Sequence, residues 1–251
     1  MARNHLIIEA GCECMEVMYP RISKGDSRTV RKGKKDVTKD AKQRMNDKAA
    51  YRKLEMELAA NYRANDLVLC LTFDDAHLPK DRAGVKAAVK KFTAALRKER
   101  EKRGQTLTYH YTEEHKHLSE DESMNGRWHI HMVMNATGDD YRLISTLWAR
   151  GHADIQRLRV DRDKNFESLA RYMTKEPRDK VGHRLWSSSQ GAKKPRRELR
   201  QVGNGETIKI PRNVMVLSDT GEVETVYGSY RFVRYIRLKD AGAAPKSRRR
   251  K

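Results

Sequence analysis

Arg127-Trp-His-Ile-His-Met-Val-Met-Asn135 alternates with a strict period of two, and its two faces decide how the 251-residue chain is read. Successive side chains of a β-strand point to opposite faces. Trp128, Ile130, Met132 and Met134 therefore share one apolar face, which must pack on helices, and His129, His131, Val133 and Asn135 share the other. The two imidazoles then stand roughly 7 Å apart at the strand rise. Two convergent imidazoles can hold one divalent metal. Two polar residues on a wet sheet face would give the same spacing, and the spacing does not fix the metal.

The preceding segment, Thr106 to about Glu113, is β-prone. It offers Tyr109, Tyr111 and Glu113 on one face and His110, Thr112 and Glu114 on the other. If it pairs with 128–135 as a hairpin, a carboxylate near its end lies close to the histidines. Glu113 is favoured over Glu114 as a third ligand, although the face argument alone does not decide between them. Two imidazoles and a carboxylate leave positions open for substrate oxygens, which suits Mg²⁺ or Mn²⁺ acting as a Lewis acid on a phosphate. His115-Lys-His117 repeats the His-x-His spacing, but its stretch lacks an alternating apolar face and reads as a loop.

Outward from this strand the pattern is mixed. Tyr51, Leu54, Leu58 and Tyr62 share a stripe, which predicts a helix over 39–62. Leu67-Val-Leu-Cys-Leu-Thr-Phe73 is a short apolar run and reads as a buried strand. Val85, Val89, Phe92 and Leu96 predict a helix over 82–103, closed by Gly104. Helices are expected at 139–150 and 164–176, with a strand at 153–160 between them. The order β-α-β-β-α-β-α predicts an α+β fold, a ferredoxin-like antiparallel sheet backed by helices. Four segments follow: a basic flexible arm at 1–37, a main domain with its leading helix at 38–180, a C-terminal β extension at 181–240 and a basic tail at 241–251. In the extension, Val214–Leu217 and Val223–Tyr227 flank Asp219-Thr-Gly221 as a hairpin would, and Tyr230–Leu238 adds a third strand.

Phe166, Leu169, Ala170 and Met173 form the apolar stripe of the last helix. Tyr172 falls on the flank of that stripe, about 100° from its centre. Lys175 follows three residues later. A phenol beside an ammonium is a reasonable nucleophile for phosphoryl transfer, because the cation stabilises charge on phenoxide or phosphate. A boundary tyrosine beside a solvated lysine would look the same.

Composition points the same way. The chain carries 54 Lys and Arg against 34 Asp and Glu, a net charge of +20, so an anionic partner such as nucleic acid is expected. Three cysteines make no disulfide framework. No apolar run reaches the ~18 residues of a membrane span, and the start of the chain has no apolar leader region. A cytoplasmic location is expected.

The order Leu71-Thr-Phe73, then His129-Ile-His131, then Tyr172-Met-Thr-Lys175 resembles the three ordered motifs of the HUH endonucleases, the superfamily of rolling-circle replication initiators, relaxases and some transposases. Asn61–Phe73 after a charged helix, and Glu113 a short way before Gly126-Arg-Trp-His-Ile-His131, resemble the replication-associated proteins of phages and plasmids related to the filamentous-phage gene II group. The likeness covers about 40–180. It implies that His129 and His131, with Glu113, hold Mg²⁺ or Mn²⁺. It implies that Tyr172 attacks a phosphate of single-stranded origin DNA, becomes linked to the 5′ side and frees a 3′-OH for the host polymerase, aided by Lys175. A host helicase is the other expected partner. With a single tyrosine, the second strand transfer needs another protomer or another nucleophile.

Two rivals remain at this level. A relaxase or single-tyrosine transposase would share the chemistry and differ in outcome. A non-catalytic nucleic-acid-binding module would show stacking aromatics on the open sheet face, where this sequence sets His129 and His131.

Overall fold

A computed structural model describes residues 2–21, 39–116, 127–163, 165–175, 184–218, 220–225 and 228–238, with the side chains of 39–45 and 225 left aside. Residues 22–37 of the basic arm, His117 and the basic tail lie outside the described residues. The chain divides into two compact units, one of Met1–Ala60, Val160–Ala170 and Lys193–Lys251, the other of Asn61–Arg159 and Arg171–Ala192. No helix among the described residues is long and apolar enough to cross a membrane.

The second unit holds strands β3 (Leu67–Thr72), β4 (Tyr109–Lys116), β5 (Arg127–Met134), β6 (Ala153–Arg157) and β7 (Ser187–Ser188), with helices α2 (Arg82–Glu101) and α3 (Asp140–Leu147). Its wholly antiparallel sheet runs β6-β3-β5-β4-β7. β3-α2-β4 and β5-α3-β6 are each a split βαβ unit with one strand between the pair, the ferredoxin-like arrangement. The α+β class expected from the sequence is the class observed.

The apolar sheet face is the core. Leu67, Leu69, Leu71, Ile130, Met132 and Met134 are fully buried, packed with Val85, Val89, Phe92 and Leu96 of α2 and with Ile144 and Trp148 at α3. Periodicity places these helices, and caps bound them. The Asp81 carboxylate accepts from the Gly84 amide at the start of α2, and Trp148 Nε1 donates to the Thr72 carbonyl at 2.9 Å just past α3. Beneath α2, Arg100 is fully buried and donates to Asp140 at 2.6 Å and to the Asn135 carbonyl at 2.8 Å.

The first unit is built from the chain's two ends. Strands β1 (Arg3–Ala10), β2 (Glu13–Pro20), β8 (Arg196–Val202), β10 (Gly221–Thr225) and β11 (Gly228–Arg237) form a sheet in the order β10-β11-β2-β1-β8, and β9 (Val214–Val216) also pairs with β11. Helix α1 (Lys39–Asn61) belongs to this unit for all but its last residue. Here the structure corrects the sequence reading. Residues 3–20 are a β-hairpin rather than an arm, joined by a turn in which Gly11 has φ +58 and a Cβ would lie 2.4 Å from the Ala59 carbonyl oxygen. The segments around Asp219 are not a hairpin, because β9 and β10 each pair with β11 instead. The C-terminal strands pair with those at the start of the chain, β11 with β2 and β8 with β1. His115 lies inside β4 rather than in a loop.

A second buried ionic cluster sits in this unit. Arg234 donates to Glu13 at 2.5 Å and Glu55 at 2.6 Å, and it and Arg52 also reach Glu167. These ion pairs join three carboxylates to two guanidiniums, so holding one proton relieves the excess negative charge. Burial, and then neighbouring Glu13, push the Glu55 carboxyl up to about 9.

Two outcomes are expected. Asp140→Ala strands a buried guanidinium and should destabilise the chain by about 3–5 kcal/mol in urea unfolding, because one partner of a buried pair is removed. Glu55 keeps its proton in the folded state while the unfolded carboxyl has lost it, so stability should fall as pH rises from 4.5 toward 9, at up to ~1.4 kcal/mol per pH unit. Glu55→Gln should flatten that slope in unfolding curves taken across the same range.

Candidate functional site

The second-unit sheet leaves one face free of the core described above. The registers put His131 beside Cys70 and Thr112, and His129 beside Thr72 and Glu114, all on this face. Ile130, between the histidines, is fully buried on the other.

Tyr172 and Lys175 join them from α4 (Glu167–Met173) and the residues after it. Phe166, Ala170 and Met173 are buried, while Tyr172 on the flank is 43% exposed. The helix ends at Met173, and a tight turn from the Lys175 amide to the Tyr172 carbonyl folds the lysine back. The Tyr172 hydroxyl lies 3.3 Å from His131 Nε2, with the two rings edge to face at 4.8 Å. Lys175 Nζ stands 4.2 Å from the centre of the Tyr172 ring.

Glu114 ties this group together. Its Oε2 lies 2.5 Å from His131 Nε2 and its Oε1 is 2.9 Å from Lys175 Nζ. Burial opposes ionisation of Glu114, but the hydrogen bonds from Lys175 and His131 outweigh it and hold the carboxyl below its ordinary value. Burial holds the Tyr172 phenol above its ordinary value; Lys175 pulls it down and Glu114 pushes it up.

Glu113, favoured from the sequence, is not part of this group. It pairs in register with Ile130, on the core face, and makes an ion pair with Arg82 at 3.2 Å. Tyr111 carried the missed signal: its ring is buried in the core, so the same parity takes Glu113 to that side and Glu114 to the histidine side. Cys70 and Thr72 also stand on the histidine face, which the apolar run around them hides because its alternation is obscured. His110, also on this face, accepts from or donates to the Tyr62 hydroxyl at 2.8 Å.

The donor types suit a hard or borderline divalent cation: two imidazole nitrogens and a carboxylate oxygen. Among the described residues, no three His, Cys, Asp or Glu side chains already stand at metal-binding spacing. Two ligands of one small cation sit about 3 Å apart at ordinary bond lengths. Glu114 and His131, now at 2.5 Å, would therefore have to separate slightly to share one. The residues fit the ion in kind, and the registers place both histidines and Glu114 on one face.

An antiparallel α+β sheet thus gathers two imidazoles, a carboxylate, a phenol and an ammonium at one face. Residues 66–177 match the family model for replication-associated proteins of the ORF2 and gene II protein type, a segment that holds every residue of the group. The match supports a phage or plasmid replication initiator of the gene II-like group. No curated protein and no solved structure matches the chain significantly.

The opposed influences on Tyr172 can be read by titration. The ultraviolet difference between the wild type and Tyr172→Phe should show a phenol that ionises above ordinary tyrosine. Lys175→Met, which removes the cation, should move it higher still; a lower value would contradict the geometry.

Proposed function

We propose that the chain starts rolling-circle replication by nicking single-stranded origin DNA through transesterification on Tyr172. One observation carries this: the Tyr172 hydroxyl lies 3.3 Å from an imidazole that is itself 2.5 Å from a carboxylate, on the face that also bears the second histidine.

His129, His131 and Glu114 would hold Mg²⁺ or Mn²⁺, with Glu114 in the place first given to Glu113. Such an ion, when bound, polarises the scissile phosphate and offsets charge on its oxygens. Tyr172 Oη forms a bond to phosphorus as the bond from phosphorus to the 3′ oxygen breaks. The phenolic proton is given up and the leaving 3′ oxygen takes one, so one phosphodiester is exchanged for another and no energy source is consumed. Lys175 steadies phenoxide or phosphate charge from its position over the ring. Its ion pair with Glu114 keeps that ammonium on the site. The products are a 5′-phosphotyrosine and a free 3′-OH.

Supporting this reading are the family match of residues 66–177, the net charge of +20 and the way α4 delivers Tyr172 to the histidine face. Host polymerase and helicase are the partners it calls for.

Incubation with a single-stranded origin oligonucleotide and Mn²⁺ should yield a covalent adduct visible by denaturing electrophoresis. Tyr172→Phe and EDTA should each abolish it, and Glu114→Gln should cut its rate far more than Glu113→Gln. An adduct that persists in Tyr172→Phe would refute the nucleophile.

A further inference from the structure

The two faces of the first-unit sheet differ in chemistry. One face carries acids paired with bases: Glu9 with Arg196 and Arg237, Glu198 with Arg200, and Glu222 with Arg231. Its apolar part, around Cys14, Met18, Val233 and Tyr235, is covered by Ile208. On the opposite face, cross-strand registers align Leu199, Leu6, Val17 and Phe232 in one row, with Tyr19, Tyr230 and Val223 in the next. The only carboxylate among the strand residues of this face is Glu13, buried against Arg234.

Among the described residues, α1 covers the near end of this second face. There Ala10, Glu13 and Arg234 are buried, with Arg234 bonded to Glu55. Further back along the helix, Asn46, Asp47, Lys48 and Ala49 are all exposed. Four consecutive residues sample nearly every direction around a helix. At that point α1 is therefore open to solvent all round.

At the far end Tyr19 and Tyr230 are half-buried, their rings 6.0 Å apart and within 11° of parallel, with half-buried Phe232 in the row beside them. Leu199 and Val223 flank the aromatics at 59% and 52% exposure. On the strands of this face and just after β2, the exposed charges are basic: Arg197, on the same face as Ile8, and Arg21, which donates to Gln201 at 3.1 Å. Flat rings, apolar flanks and cations match the needs of unpaired bases on a phosphate backbone.

We propose that this half of the first-unit sheet binds single-stranded nucleic acid, bases stacking on Tyr19, Tyr230 and Phe232 and phosphates running past Arg197 and Arg21. It rests on the reading that the chain acts on single strands, and adds a second binding surface remote in sequence from the Tyr172 site. It would hold the strand without cutting it.

The test uses the full chain with Tyr172→Phe, in EDTA, and the anisotropy of fluorescein-labelled oligo(dT) of about 20 nucleotides, enough to span a typical single-strand site. Leu199→Glu and Val223→Glu introduce an acid at positions already in solvent, so folding should be untouched. Each should weaken binding about tenfold, as should Tyr230→Ser, while Tyr230→Phe, which keeps the ring, should bind like its parent. Ultraviolet crosslinking followed by mass spectrometry should find nucleotides on peptides bearing Tyr19, Tyr230 or Phe232. Unchanged affinity in both Glu variants, or crosslinks confined to other peptides, would overturn the proposal. So would variants that alter only self-association in sedimentation, since the occupant would then be a second copy of the chain. The adduct assay reports separately: with no wild-type adduct but weakened oligo(dT) binding in the Glu variants, nicking fails and this surface stands.

Discussion

Everything in the second unit depends on the pinning of β5 at the centre of its sheet. Ile130, Met132 and Met134 are fully buried against α2 and Trp148, and a slip of one residue would move all three to the opposite face. That slip would exchange roughly three side chains' worth of hydrophobic stabilisation, at about 2 kcal/mol each, for buried imidazoles. The packing that stabilises the domain thus fixes where the histidines point. β3 and β4 inherit the same alternation from their pairing with β5, which brings Thr72 and Glu114 beside His129.

Charge is handled differently in the two units. In the second, the Arg100–Asp140 pair is matched one to one beneath α2 and braces the turn that leads into α3. On the histidine face, Glu114 is shared between Lys175 and His131, so a single carboxylate orients both a cation and an imidazole. In the first, three carboxylates crowd two guanidiniums and one carboxyl retains its proton. Matched pairs give rigidity over a broad pH range, whereas crowded ones make stability depend on pH.

The assembly of the first unit follows from topology. β1 and β2 stand at the start of the chain and β8 to β11 near its end, yet they share one sheet. Such contacts of high sequence separation leave no local signature. Periodicity along β1 and β2 is weak because charged residues occur on both faces: Glu9 and Glu16 on one, Glu13 on the other.

The sequence by itself determined the βαββαβ order, the helix stripes, the two-faced strand 127–135 and the flank position of Tyr172, because each depends on periodicity within one element. Only the tertiary structure decided which carboxylate meets His131, since that choice turns on hairpin register and on the side to which Tyr111 is buried. It also decided that residues 3–20 are sheet rather than arm, because a strand with charges on both faces is defined by its partners, and the outer partners, β8 and β11, lie some two hundred residues along the chain.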